Sequence, residues 1–369
     1  MPPSVPADAT TGVSTIAASV ASIGVVGVGA VGVVGVGAVG TRTVRQLLAS
    51  AGVHVVVFDT DQARARAVAT AMGPRVTVAG GSEELLPLGV VVLAQPAPHA
   101  TIAGRALGAG SSVVSVSDDD ADVAAMLALA CGDRTLVLGA GFAPGLSCLL
   151  ARYAAATFDT VDELYVAKHG TGGPACARQH HGALAGEARV WRDGAWTTQR
   201  AGSGRELCWF PEPIGGQDCY RAETAEASLL HAAFASTGRI GARVSARRRD
   251  RLTARLPMLR PPHPEGALGA IRVELRGARA SERAVDVLGA IDRPAIAAGA
   301  VLAVIATTVA AGEFPAGAFG LGDDRLPTGS ILAELSRRGV RAARFTGTVQ
   351  APLTVRPTGG RSPGMALPA

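Results

Sequence analysis

Residues 25–59 read VVGVGAVGVVGVGAVGTRTVRQLLASAGVHVVVFD. The eight residues 25–32 recur identically as 33–40, giving two Gly-x-Gly-x-x-Gly frames, Gly27/Gly29/Gly32 and Gly35/Gly37/Gly40. The second frame runs straight into TRTVRQLLASAG, a helix with Leu47 and Leu48 on its apolar side. Then come the strand VHVVVF (53–58) and Asp59, 24 residues beyond Gly35. A dinucleotide fingerprint has this strand–turn–helix–strand context, with its acid about 20 residues on.

Each position then has a physical task. Gly35 permits the tight turn, Gly37 lets the backbone approach a pyrophosphate, and Gly40 lets helix and strand pack closely. Val36, Ala38 and Val39 complete the loop and present backbone amides where the helix opens, the end that attracts phosphate. Asp59 is placed to accept a hydrogen bond from an adenosine ribose hydroxyl, which favours NAD. Arg64 and Arg66 keep NADP open. In the first frame the glycines oppose helix formation. Residues 22–32 are therefore expected to extend the strand or form a surplus loop, and deletion of 25–32 to leave folding and cofactor binding intact.

Outward from this stretch, short β-branched runs alternate with Ala/Leu/Arg-rich segments. Strands are expected to end near Val34, Phe58, Val78, Leu93, Val116 and Leu138, with helices near 41–51, 61–72, 99–109 and 120–131. Such alternation makes a parallel sheet covered by helices on both faces. The expected fold class is α/β, an N-terminal Rossmann doubly wound sheet with a second α+β substrate domain. The boundaries are a tail at 1–20, the nucleotide domain at 21–145 and the substrate domain at 146–290. C-terminal helices at 291–350 return to the first domain, before a tail at 351–369. Within these lie a helix from Gly145 to Thr157, a strand over 161–170, an apolar helix over 294–311 and an amphipathic one over 331–339.

Composition narrows the function classes. The 369 residues carry 35 basic and 30 acidic side chains, and 48% are hydrophobic, which excludes an intrinsically disordered chain. Only Lys168 is a lysine. Eight arginines and one acid fall between Arg239 and Arg260, so the positive charge is local, and aromatics are 4%. No nucleic-acid partner is expected. Residues 9–41 are uncharged but hold eight glycines between Gly12 and Gly40, which argues against a membrane span. Five cysteines without C-x-x-C spacing suggest reduced thiols in a cytoplasmic protein. A homodimer is the expected assembly.

Two further stretches make the pattern recognisable: GVVVLAQPAPHATIAGRALGAGSSVVSVSD (89–118) and LVLGAGFAPGLSCLLARYAA (136–155). With the fingerprint, they resemble the saccharopine dehydrogenase-like group of NAD(P)-dependent oxidoreductases. The resemblance lies in a strand ending in a small-polar-Pro turn, a strand with V-x-x-S, and Gly139–Gly145 as G-x-G-x-x-P-G. It covers residues 22–157 well and 290–340 loosely. It implies a cleft between two domains and chemistry on amino-acid-derived carbon–nitrogen bonds. It also implies Ala94 and Gln95 as cofactor neighbours, and Gly141, Pro144 and Gly145 as cleft-lining backbone. Where many relatives carry an Asp and a Tyr, this chain has Ser115, Ser117 and Asp118.

The second domain offers the candidate chemistry. Lys168 and His169 precede a Gly-rich turn, and His180 and His181 follow; these types manage protons near neutral pH. Lys168, His169 and His180 are the expected catalytic groups. His181, Arg205 and Asp218 are the expected substrate contacts, the Gly-flanked Arg205 holding a carboxylate. No metal is expected, because Cys176, His180, Cys208 and Cys219 lack standard zinc spacing. Arg239, Arg243, Arg247, Arg251 and Arg255, four apart, form either a helical stripe or solvated positions on paired strands, and the strands are favoured. The expected function is hydride transfer to or from an amine or imine carbon of a carboxylate-bearing small molecule. Two rival readings are a non-catalytic dinucleotide-binding redox sensor or scaffold, and a reductase anchored in a membrane by residues 9–41.

Overall fold

A computed structural model describes residues 29–258, 261–346 and 349–352. Its N-terminal unit follows the expected alternation: β1 Val31–Val34, α1 Ala38–Leu48, β2 Val55–Phe58, α2 Gln62–Met72, β3 Val76–Val78, β4 Val90–Leu93, α3 Ala100–Gly108, β5 Ser112–Ser115, α4 Asp120–Leu127 and β6 Thr135–Leu138. The strands order as β6-β5-β4-β1-β2-β3, all parallel. Every residue of β1, β4, β5 and β6 is buried, as unbroken valine-rich runs require when helices cover both faces. Helix α1 starts at Ala38 rather than 41 because Gly37 already serves as its N-cap, and β5 stops at Ser115, one residue before Val116.

Helix α5 (Leu146–Ala155) leads into a ten-stranded mixed sheet. Its elements are β7 Thr160–His169, α6 Pro174–Gly182, β8 Glu187–Arg192, β9 Ala195–Arg200, β10 Glu206–Trp209, β11 Gly216–Arg221, α7 Glu226–Ala233, β12 Arg239–Ser245, α8 Arg248–Leu252, β13 Gly269–Arg279 and β14 Glu282–Asp292. Strand β7 is central, parallel to β12 and antiparallel to β13. One core joins both units: Val33 and Val92 of the first sheet, Leu149 and Leu150 of α5, and Leu164 and Ile271 of the second sheet belong to one buried cluster. Each such side chain contributes about 1.5–3 kcal/mol on burial, so packing, not a linker, fixes one sheet against the other.

The last segment divides. Helix α9 (Pro294–Ala310) packs on α1, so closely that a Cβ at Gly299 would lie 2.6 Å from the Arg42 Cβ. Strand β15 (Gly317–Gly320) then adds a seventh parallel strand beside β6. Helix α10 (Thr328–Arg337) follows, and β16 (Arg341–Thr346) and β17 (Val349–Pro352) cross to the second sheet beside β14. The expected tails, residues 25–28 of the first glycine frame and Arg260 lie outside the described residues, except that 351 and 352 belong to β17. Among the described residues no helix is long and apolar enough to cross a membrane. Helix α9 is apolar because it is buried on nearly every side.

The arginine-rich segment is no helical stripe. Arg239 and Arg243 lie on β12 and pair with Glu163 (3.1 Å) and Glu206 (2.7 Å), while Arg251 of α8 stacks over Tyr220. Arg239 and Arg243 are neutralised by acids of the second sheet, and Arg251 is held by the Tyr220 ring and the Gly202 carbonyl.

Candidate functional site

The two sheets meet at a cavity of about 920 Å³ lined by both. At one end the second glycine frame makes the turn between β1 and α1. Gly35 has φ +86°, and a Cβ there would lie 2.7 Å from the Gln95 amide nitrogen. A Cβ at Gly40 would lie 1.8 Å from the Gly35 carbonyl oxygen, so helix and turn touch backbone to backbone. Gly37 differs: its φ of −71° is ordinary, and a Cβ would meet nothing within 4 Å. Its missing side chain leaves open space at the mouth of α1. That helix has no acid in its first turn and no side-chain cap, so its leading amides, unpartnered within any helix, face the cavity.

Asp59 directly follows β2, beside this turn. Its Oδ2 accepts from the Val36 amide (2.9 Å) and its Oδ1 from the Asp61 amide (2.9 Å). Arg64 stands 3.5 Å from Asp59 and 3.0 Å from Asp61. Ala94, Gln95 and Gly141 line the same cavity, and the Gln95 Oε1 is buried without a hydrogen-bond partner. A cavity of this volume, with open space at a helix N-terminus, an acid just after β2 and an orphaned acceptor, fits a dinucleotide. Gly35–Gly40 would hold its phosphates and Asp59 its ribose.

Of the described residues of the first copy, Val31 and Gly32 open β1, with Gly32 against Leu85. The chain before each copy reads Ile23-Gly24 and Val31-Gly32, so deleting 25–32 puts Ile and Gly where Val and Gly now stand. The Δ25–32 variant is expected to melt within about 2 °C of the parent and bind NADH with the same Kd. A lost melting transition or an abolished Kd would show that the second copy needs the first.

At the other end, Lys168 near the end of β7 donates to Asp118 Oδ2 (3.3 Å) and to the Ala143 carbonyl (3.1 Å). Asp118 follows β5 and also accepts from the Gln179 amide of α6. The pair therefore bridges the two sheets at the cavity floor, with both side chains four-fifths or more buried. An ammonium has three donors and two are used, so one N–H remains for a ligand. The glycine turn after His169 allows the bridge. A Cβ at Gly173 would lie 2.8 Å from that of Ala38, so the start of α6 abuts the start of α1.

His180 lines the cavity too. Its Nε2 faces the Ser245 carbonyl at 2.9 Å, and a carbonyl only accepts, so Nε2 carries the proton and Nδ1 is a bare acceptor. That Nδ1 is buried and has no hydrogen-bond partner. Burial, reinforced by Lys168, lowers the imidazole to about 4, so it is neutral at pH 7. Behind the floor, Glu226 of α7 accepts from Ser147 (2.6 Å), and burial raises its carboxyl to about 7.

The other expected contacts lie elsewhere. His169 does not line the cavity; it bonds the Ser245 hydroxyl (2.8 Å) and tilts against Phe210. His181 is tied to the Thr253 and Leu256 carbonyls (3.1 and 3.0 Å). Arg205 and Asp218 satisfy each other at 2.9 Å, Arg205 largely exposed and both outside the cavity lining. Register explains this: β10 and β11 pair Leu207 with Asp218, which brings Arg205 alongside. The substrate contact expected of Arg205 is thus spent on a neighbouring acid. Cys208 and Cys219 lie in the second sheet, away from Cys176 and His180, and no metal-holding group of side chains occurs among the described residues. Asp118 and Gln179 were not anticipated as site residues. Asp118 had a legible signal, its place directly after the V-x-x-S strand; Gln179 had none.

No protein-family model matches this chain, and no curated protein matches it. Solved structures do. Saccharopine dehydrogenase (L-Glu forming) from Saccharomyces cerevisiae superposes with a TM-score of 0.63 at 14% identity, over 86% of this chain and 100% of that one. That likeness shows the shared architecture of a Rossmann sheet joined to a second mixed sheet. A looser match is GenD2 from gentamicin A biosynthesis, solved with NAD, with a TM-score of 0.45 at 16% identity over 86% and 96% of the two chains.

Proposed function

We propose that this protein is an NAD(P)-dependent oxidoreductase moving a hydride to or from a carbon bonded to nitrogen in an amino-acid-derived substrate. The observation that carries the reading is one cavity with a phosphate-accepting turn at one end and a buried Lys168–Asp118 pair at the other. In this reading residues 21–145 hold the nucleotide, and 146–290 supply most of the substrate side. The yeast protein of the same fold is a saccharopine dehydrogenase, which supports carbon–nitrogen chemistry here.

A bound nicotinamide supplies or accepts the hydride. The residues of this chain handle the proton. Lys168, held by Asp118 and the Ala143 carbonyl, directs its third N–H at the substrate nitrogen. It gives a proton as the imine is reduced and takes one as the amine is oxidised. His180, neutral, accepts a hydrogen bond from a substrate N–H or O–H through Nδ1. The buried floor keeps water away, which strengthens both interactions.

The test is a fluorescence titration with NADH and NADPH, followed by absorbance at the reduced-nicotinamide band with a panel of cyclic imines. Binding with turnover is expected. Binding without turnover of any imine would move the sensor or scaffold reading to the front, and no binding would remove both.

A further inference from the structure

We infer that Arg178 is the receptor for a substrate carboxylate, an inference that rests on the oxidoreductase reading above. Four arginines line the cavity besides any held elsewhere: Arg42, Arg64, Arg178 and Arg293. Those other than Arg178 each meet an acid, Arg42 and Arg293 sharing one. Arg42 lies 3.1 Å from Glu265, Arg293 lies 3.4 Å from the same carboxylate, and Arg64 lies against Asp59 and Asp61. Arg178 has no acid or hydrogen-bond partner among the described residues, although 21 ion pairs are formed there.

Its position gives it a direction of use. Arg178 sits on α6 between Cys176 and Gln179, which line the same cavity, and Gln179 reaches Asp118 beside Lys168. Arg178 therefore sits on a helix whose next residue reaches the proton-handling pair and whose start abuts α1. A planar fork with five donors matches a carboxylate bidentately, and an unpaired one beside a cavity adds affinity for an anion without first breaking a protein contact. The arrangement selects substrates whose reacting carbon–nitrogen bond lies close to a carboxylate, as in α-imino and α-amino acids. It disfavours neutral amines.

The experiment uses a matched pair of probes, Δ1-pyrroline-2-carboxylate and Δ1-pyrroline, which differ only in the carboxylate. Parent, Arg178→Ala and Arg178→Lys are assayed with each, after NADH and NADPH binding is measured by fluorescence. The parent is expected to prefer the carboxylate-bearing imine by at least tenfold in kcat/KM. Arg178→Ala should raise KM for it about 10- to 100-fold, the effect of losing a charged hydrogen-bonded partner, and bring the preference near unity. Arg178→Lys should recover part of it. Nucleotide Kd should be unchanged in all three. Equal rates with both imines in the parent, or a preference that survives Arg178→Ala, would overturn the inference while leaving the reaction intact. A weakened nucleotide Kd in Arg178→Ala would overturn it by assigning the arginine to the nucleotide. Binding of nucleotide with neither imine reduced would overturn the carbon–nitrogen reading, and the inference with it.

Discussion

Replacing Gly37 by Asp will abolish dinucleotide binding and leave the fold as stable as before or slightly more so. The position is the N-cap of α1, with an extended backbone any residue adopts, and its Cβ would point into open space. Asp is among the preferred N-cap residues and adds about 0.5–1 kcal/mol there, through the helix amides and dipole. The same amides are the ones a pyrophosphate needs. A carboxylate on them occupies the site and repels two further negative charges, so NADH affinity should fall at least 100-fold, about 3 kcal/mol. Gly40→Ala makes the opposite variant. Its Cβ would overlap the Gly35 carbonyl, so it should lower the melting temperature sharply. Thermal melts and NADH titrations of the two variants separate the roles. A Gly37→Asp protein that binds NADH like the parent would sink the assignment of the second frame to phosphate.

Lys168→Met should cost about 10²- to 10⁴-fold in turnover, the range for a lost general acid–base group, with nucleotide Kd unchanged. Met keeps the length of the side chain and removes the charge and its donors. Asp118 keeps the Gln179 amide but loses its counter-charge while four-fifths buried, so the melting temperature should fall as well, and turnover is compared below the variant's melting point. Lys168→Arg separates charge from proton transfer. It preserves the positive charge beside Asp118 but does not release a proton near neutral pH. If Lys168 moves a proton, both variants fail alike. Recovery of turnover by Lys168→Arg would reduce the lysine to an electrostatic role, and Lys168→Met turning over within about threefold of the parent would remove it from the reaction.

The readings that succeeded on fold were local ones. Valine runs buried on both faces, a glycine turn flowing into a helix, and an acid at the end of the next strand each depend on a few consecutive residues, and β1, α1 and β2 follow them closely. The arginines four apart show where such reading leaves two answers open. A spacing of four puts side chains on one face of a helix, and also on one face of a strand, whose period is two. Arg239 and Arg243 share a face of β12, opposite glutamates that arrive from β7 and β10. Strand β15, GAFG, carries almost no strand signal of its own; it is a strand because the open edge of β6 offers it hydrogen bonds.

The sequence by itself determined the nucleotide half, because a Rossmann turn is written in adjacent residues whose conformational demands are met within one βαβ unit. It also marked Lys168, the sole lysine, before a Gly-rich turn. Only the tertiary structure decided which charged groups were free to act. Arg205 looked available and is consumed by Asp218, whereas Arg178 looked unremarkable and faces the cavity without an acid. An ion pair is a property of two residues brought together by strand register and helix docking. Of the two partners that fix Lys168, one comes 50 residues earlier and the other 25 residues earlier in the chain, and both are delivered by folding.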